Sequence, residues 1–273
     1  YFDAATDRIN GSNAIDASAQ IFSAVYNGVD ANPRSRIYYN GNESGSGNGP
    51  TSIGNMASDL HIGTLNPGYA QGFNGDISEV IVYRTALNNA ERLILETYLS
   101  NRYNISITPS SYSSGTHTQD FVGIGHANGD KYSNTENIGS GLLLAELNNT
   151  LDENNEFVFA GHDGTAHGIN TDDLPTIVDV NLDERWERIY YIERVQDGTV
   201  DNGNTDIRIG FDFTGTGITP STDRIYYLLY RSGTSGAFSE VPGGTAVATD
   251  GKVWINVSDA NFASGYYTIV RSD

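Results

Sequence analysis

The chain is strongly acidic: its 273 residues carry 34 aspartates and glutamates against 15 lysines and arginines, a formal net charge of −19 at pH 7. This balance excludes binding to a nucleic-acid backbone by counterion release, because the sequence offers no basic face. No apolar run is long enough to insert into a membrane, and the absence of cysteine excludes disulfides and thiolate metal sites. The acidity itself has two explanations, a solvated surface in a saline or extracellular setting or carboxylates that hold Ca²⁺.

The first hundred residues predict short strands followed by one helix. Segments 19–26, 36–39 and 60–63 are strand-like, and segment 73–83 is rich in β-branched and aromatic residues after an Asn-Gly turn signal. A helix is predicted from Asn88, which can cap its N-terminus, because Glu91 three residues later completes a capping box. Apolar residues at three- and four-residue steps predict its buried face, namely Ala90, Ile94, Leu95, Tyr98 and Leu99.

A boundary follows this helix. Residues 105–118 are rich in serine and threonine and show little periodicity, which predicts a linker or an extended crossover. The strand pattern then restarts, with candidate strands at 141–145, 156–160, 184–194, 206–213, 224–231, 252–257 and 265–271. Strands joined by Asn-Gly and Asp-Gly turns predict a second antiparallel β-sandwich. In segment 206–213 the apolar residues alternate strictly, so Arg208 and Asp212 are expected to face outward.

The order of elements in the first part resembles a known fold. The strand at 73–83 and the helix start and end at 84–91 and 98–103 resemble the last strand and closing helix of concanavalin-like (laminin-G-like) jelly rolls. The resemblance implies an all-β fold, with a concanavalin-like jelly-roll sandwich over residues 1–104 that one α-helix closes. About 100 residues is short for two full sheets. We therefore expect a partial sandwich whose early strands precede residue 1.

Residues 119–273 resemble the uncharacterised β domain that follows such jelly rolls in large secreted proteins of Bacteroidota, including gliding-motility adhesins. The motifs lie at 121–126, 157–164 and 184–188. The resemblance implies an extracellular or cell-surface adhesin that contacts glycans or other surface proteins and is part of a larger polypeptide. It names no catalytic residue. The predicted organisation is a first domain at 1–104, a linker at 105–118 and a second domain at 119–273.

The residues themselves give little support to catalysis. A glycosidase needs two carboxylates in one cleft, but Asp76 and Glu79 are three residues apart and would point to opposite faces of a strand. His162 and His167 flank a glycine-rich loop without a third histidine at ligand spacing. We predict that the chain is not an enzyme. The alternative is a glycoside hydrolase whose catalytic strand lies outside this chain.

Two acidic loops are candidate calcium sites, because Ca²⁺ favours oxygen ligands on loops. The first places five oxygen-bearing side chains on one connection: Asp197, Asp201, Asn202, Asn204 and Asp206. The second and weaker candidate comprises Asp172, Asp173, Asp179 and Asp183. For both loops the alternative is an Asx-rich turn whose side chains bond their own backbone.

Among the aromatic residues, Tyr69 is the candidate ligand contact, because it lies in a loop between two predicted strands. Three functions stay open. We favour a non-enzymatic adhesion fragment. The others are a Ca²⁺-dependent carbohydrate-binding module and the non-catalytic part of a secreted glycoside hydrolase.

Overall fold

The computed structural model describes residues 9–13, 16–31, 33–52, 62–64, 72–109, 112–135, 141–197, 199–200 and 204–273. The chain divides into two compact units, one of residues 1–14, 23–38 and 43–87 and the other of residues 15–22, 39–42 and 88–273. In the described part, antiparallel strands are accompanied by a single α-helix. The described part of the chain is therefore all-β with one α-helix, as the sequence predicts.

A small sheet lies in the N-terminal part of the chain. It consists of β1 (Phe22–Tyr26), β2 (Ser35–Tyr39) and β3 (Asn42–Gly47), paired in that order. Asn40 and Gly41 both have positive φ and form the tight turn from β2 to β3, the geometry that favours an Asn-Gly pair. The predicted strands at 19–26 and 36–39 are confirmed with small shifts. For the predicted strand at 60–63, residues 60 and 61 lie outside the described residues, and residues 62 and 63 form no strand.

The prediction of a strand at 73–83 is wrong. Residues 76–83 belong to no strand, and the nearby pairing is an isolated bridge between Thr64 and Gly72. Strand propensity describes side chains that fit a half-buried pleated surface, but a strand also needs a neighbour for its backbone groups. No described strand pairs with this segment. Its six large apolar side chains are exposed; they are called the apolar strip below and are Phe73, Ile77, Val80, Ile81, Val82 and Tyr83.

The helix α1 (Asn89–Tyr103) begins as predicted. The Glu91 backbone N–H donates to Asn88 Oδ1 and the Asn88 backbone N–H donates to Glu91 Oε2, both at 2.8 Å, so the capping box is complete. The helix ends at Asn104, which has a left-handed backbone with φ 53°. Asparagine tolerates this conformation better than most residues.

The buried face of α1 agrees with the prediction at Ala90 but differs from it at other positions. Its buried residues are Ala90, Arg92, Leu93, Glu96 and Thr97. Leu95 and Tyr98 enter none of the described hydrophobic clusters, although Ile94 and Leu99 pack at the edges of two of them. Arg92 and Glu96 form a buried ion pair at 2.7 Å, and Arg92 Nη1 also donates to the Gly41 carbonyl at 3.3 Å. The apolar pattern could not indicate this face, because an ion pair four residues apart is typical of an exposed helix surface.

The second unit is built on thirteen strands among its described residues. They are β4 (Gln119–Ala127), β5 (Asp130–Tyr132), β6 (Leu142–Glu146), β7 (Glu156–His162), β8 (Ile169–Asn170), β9 (Leu182–Trp186), β10 (Tyr190–Gln196), β11 (Thr199–Val200), β12 (Ile207–Asp212), β13 (Ile225–Arg231), β14 (Ser239–Thr249), β15 (Lys252–Val257) and β16 (Gly265–Ser272). Every predicted strand of this region is confirmed, except that 184–194 is split between β9 and β10. The sequence did not predict β4 or β14 as strands.

These strands form a curled antiparallel sheet whose main path is β5-β4-β7-β10-β16-β13-β14-β15-β12-β6. β14 pairs with β13 up to Val247 and with β15 from Ala248 onward, so the sheet folds over at this strand. The two halves enclose the main core, which contains Val158, Ile192 and Ile269 from one half and Ile209 and Ile255 from the other. The region is a β-sandwich, as predicted.

The alternation predicted for β12 is confirmed with one exception. Ile207, Ile209 and Phe211 are fully buried, and Arg208 is exposed with its guanidinium over the Trp254 ring. Asp212, however, is buried rather than outward-facing. Its carboxylate accepts from the Thr214 backbone N–H at 2.9 Å and lies 3.2 Å from Lys252 Nζ, and these partners offset the loss of solvation.

The outer face of this sandwich is covered by α1 and by the segment that follows it. Ala90 and Leu93 of α1 pack in one cluster with Phe157 and Phe159 of β7. The predicted linker also lies against the sheet, since Tyr112 is buried and its hydroxyl donates to the Tyr191 carbonyl at 3.0 Å. The predicted boundary at residue 104 differs from the division into compact units, in which the second unit resumes at residue 88.

Candidate functional site

The first predicted calcium loop is partly described. Asp201 and Asn202 lie outside the described residues, and Asn204 is exposed. Asp197 Oδ1 accepts from Asn155 Nδ2 at 2.8 Å, and Asp197 has a left-handed backbone with φ 48°. These features are typical of a polar turn. Among the described residues no three histidine, aspartate or glutamate side chains gather as a metal site would require.

Asp206 joins this loop to the sandwich. Its Oδ2 accepts from Asn148 Nδ2 and its Oδ1 from the Asp259 backbone N–H, each at 2.8 Å. These two hydrogen bonds lower the pKa of Asp206, with the Asn148 bond as the larger cause. Asp259 in turn forms an ion pair with Arg194. Both oxygens of Asp206 therefore have protein partners.

The second predicted cluster is dispersed among separate local contacts. The Asp172 backbone N–H donates to Asn170 Oδ1 at 2.6 Å, which is an Asx turn. Asp173 lies 3.8 Å from Arg185, and Asp183 forms an ion pair with Arg271. Asp179 has φ 60° in the turn between Ile177 and Val180. The described contacts of these aspartates are turns and ion pairs within the chain.

Two further predicted features lie on the first unit. Tyr69 lies outside the described residues. Asp76 and Glu79, the candidate carboxylate pair, are both exposed, and no strand fixes the direction of their side chains. An exposed pair has none of the burial that would tune one carboxyl as a general acid.

A small pocket opens at one end of the second sandwich. Trp186, Phe213, Tyr226, Ile269 and Arg271 are among the residues that line it. Its volume of about 20 Å³ suits a single water molecule and is far below that of a ligand-binding cleft. This pocket is therefore too small to accept a sugar ring.

A polar network that the sequence analysis did not predict surrounds His162, which is buried at the end of β7. His162 Nε2 lies 3.0 Å from Asp120 Oδ2, and the Gly164 backbone N–H donates to His162 Nδ1 at 3.0 Å. Asp120 sits at a bulge in the pairing of β4 with β7 and has φ 47°. A bulge redirects a side chain that would otherwise follow the strand alternation. The sequence does not reveal this bulge, so the spacing of residues could not predict the contact between Asp120 and His162.

Three histidines in this region resist protonation. Burial is the largest cause that lowers the pKa of His117, His162 and His167. For His162 the hydrogen bond to Asp120 acts in the opposite direction, while the charge of Arg188 lowers the pKa further. Burial thus shifts the equilibrium of each of these histidines toward the neutral imidazole.

Comparison with known proteins gives one match. Residues 5–91 match the family model of the Concanavalin A-like lectin/glucanases superfamily, which is 87 of the 273 residues. Comparison with curated proteins and with solved structures returns no significant match. The match supports the jelly-roll resemblance of the N-terminal part. No helix in the described part of the chain has the length and apolar character to span a membrane.

Proposed function

We propose that this chain is a non-enzymatic part of a large extracellular bacterial protein and acts by contact, as adhesins do. The observation that carries the contact role is the match of residues 5–91 to a superfamily of lectins and glucanases. Its partners are glycans or other surface proteins, and the rest of the same polypeptide anchors it at the cell surface or outside the cell.

The apolar strip supports a role in contact. Val82 is 72% exposed and Val80 52%, and four other large apolar side chains of the same eleven-residue segment are exposed with them. Monomeric soluble proteins rarely expose large contiguous apolar patches, because exposure of apolar surface to water is energetically unfavourable. A segment of this kind favours burial against a partner.

Adhesion of coated beads tests this proposal. Beads carrying the full chain are expected to adhere to bacterial cells or to one another more than uncoated beads do. Val82→Asp places a charge in the apolar strip and should reduce adhesion at least several-fold. Val178→Asp is the matched control, because Val178 is 81% exposed and lies far along the chain in a turn of the second unit. Equal adhesion of the two variants, or none above bare beads, contradicts the proposal.

A Ca²⁺-dependent carbohydrate-binding module is the second candidate. The presence of lectins in the matched superfamily favours it. A glycan array probed with the full chain in millimolar Ca²⁺ and again in EDTA separates the two. Binding to a defined glycan that EDTA abolishes favours the second candidate. Adhesion of coated beads without any glycan signal favours the first.

A further inference from the structure

Both ring nitrogens of His162 have hydrogen-bond partners. Nδ1 accepts a hydrogen bond from the Gly164 backbone N–H, which can act only as a donor. A backbone N–H has no lone pair to offer, so the bond from Gly164 requires His162 Nδ1 to be unprotonated. The ring proton of the neutral form then lies on Nε2, which faces the Asp120 carboxylate at 3.0 Å. The geometry thus fixes one neutral tautomer.

Gly164 is the second residue of the loop 163–168, which has other contacts besides the bond to His162. The Thr165 backbone N–H donates to Asp163 Oδ1, and the His167 ring lies 5.5 Å from the Trp186 ring. The Thr165 carbonyl accepts from Arg188 Nε at 2.7 Å, and the Gly168 carbonyl accepts from the Glu187 backbone N–H at 2.8 Å. These bonds hold the middle and the far end of the loop. The bond to His162 holds the end nearest β7.

A second proton on His162 must go to Nδ1, where it meets the Gly164 N–H. Two donors cannot form a hydrogen bond, so the Gly164 bond is lost when the imidazole becomes charged. We propose that His162 is an acid-sensitive latch that holds the near end of loop 163–168 closed when neutral and releases it when protonated.

Several charged groups surround the latch and set its midpoint. Asp120 from β4 and Asp163 from the loop stabilise the imidazolium, whereas Arg188 opposes it. His117 and His167 each interact with His162 as like charges when protonated. The Tyr190 ring of β10 packs edge-on against the imidazole with centroids 5.7 Å apart and excludes water from that side.

Amide hydrogen exchange at Gly164 in the full chain tests the latch. The His162 ring is titrated by NMR from pH 7.5 to 4.5 while the Gly164 protection factor is measured at the same pH values. Below the ring midpoint the latched fraction falls about tenfold for each pH unit, so the protection factor should fall in the same proportion. The two midpoints should coincide.

Three variants make the test specific. His162→Asn keeps an acceptor at the δ position but cannot be protonated, so its Gly164 protection should not depend on pH. Should that variant fail to fold, Asp120→Asn serves instead; the new residue tolerates positive φ, and loss of the carboxylate should move both midpoints to lower pH. His126→Asn is the control. His126 lies at the other end of β4, and its ring bonds the Glu153 carbonyl, not the loop 163–168. Constant protection while His162 titrates, absence of titration above pH 4.5, or an unchanged profile in the Asp120 variant would each overturn the proposal.

Discussion

The helix α1 should contribute to the stability of the second sandwich, and Leu93→Ala tests this directly. Leu93 is 1% exposed and packs in the cluster of Phe157 and Phe159. Truncation of a buried leucine to alanine removes its contacts and leaves a cavity, which costs about 2–5 kcal/mol, and we expect about 3 kcal/mol here. For a unit of about 150–250 residues this lowers Tm by roughly 6–12 °C.

Both tryptophans of the chain, Trp186 and Trp254, lie in the second sandwich, so tryptophan fluorescence, excited at a wavelength that tyrosine does not absorb, reports on that unit alone. Urea unfolding of the full chain, followed by fluorescence, should show a lower midpoint for Leu93→Ala with an unchanged slope. Leu95→Ala is the matched control: it makes the same chemical change at a half-buried position outside the described clusters, and it should cost less than about 1 kcal/mol.

The reasoning fails if the fluorescence transition of Leu93→Ala coincides with that of the unchanged chain. In that case α1 would unfold independently of the sandwich, and the boundary predicted at residue 104 would describe the cooperative units better. Equal losses for Leu93→Ala and Leu95→Ala would also contradict the packing. They would indicate a general cost of weakening the helix rather than loss of the Leu93 contacts.

Three further outcomes are expected. Gly125→Ala should lower the free energy of unfolding by about 1–3 kcal/mol in thermal or urea unfolding, because its Cβ would lie 2.0 Å from the Phe157 ring, whereas Gly115→Ala, with no atom within 4 Å, should be nearly neutral. Stability should rise as the pH increases toward the ordinary histidine pKa of about 6.5, because His117, His162 and His167 have lowered pKa values in the folded protein and the unfolded chain binds more protons there; a flat profile in urea titrations at several pH values would contradict this. Calorimetry of the full chain in EDTA and in millimolar Ca²⁺ should give equal Tm values if the loop at 197–206 is an Asx turn, whereas a rise of several degrees that Asp201→Ala abolishes would favour the calcium site.

Local signals in the sequence predict the type of most elements but not their partners. The capping box at Asn88 and Glu91 is confirmed because both residues act within one turn of helix. Alternation in β12 is confirmed because the side-chain period belongs to the strand itself. By contrast, the strand predicted at 73–83 depends on a neighbour for its backbone, and the buried face of α1 depends on which sheet the helix meets.

The polar contacts of Asp120 and Asp206 in the second unit could not be predicted from the sequence for a similar reason. Asp120 contacts His162, which lies 42 positions away in the chain, and Asp206 contacts Asn148, which lies 58 positions away. Clustering along the sequence indicated five oxygen ligands on one loop. In the folded chain Asp206 instead bonds Asn148 and the Asp259 backbone, which lie on other segments. Proximity in sequence is thus a weak guide to a site that tertiary structure assembles.

The free energies available to a partner differ between the two candidate surfaces. A cation at Asp206 competes with hydrogen bonds that Asn148 and the Asp259 backbone already supply to its carboxylate, and a bond to a charged group contributes up to about 1.5–3 kcal/mol. A partner that covers the apolar strip displaces only water. Burial of one large apolar side chain contributes about 1.5–3 kcal/mol when it starts fully exposed, and somewhat less from the exposures of Val80 and Val82. Burial of the apolar strip against a partner therefore offers a larger favourable free energy than binding of a cation at Asp206. The bead assay with Val82→Asp is for this reason the first experiment to carry out on the proposed function.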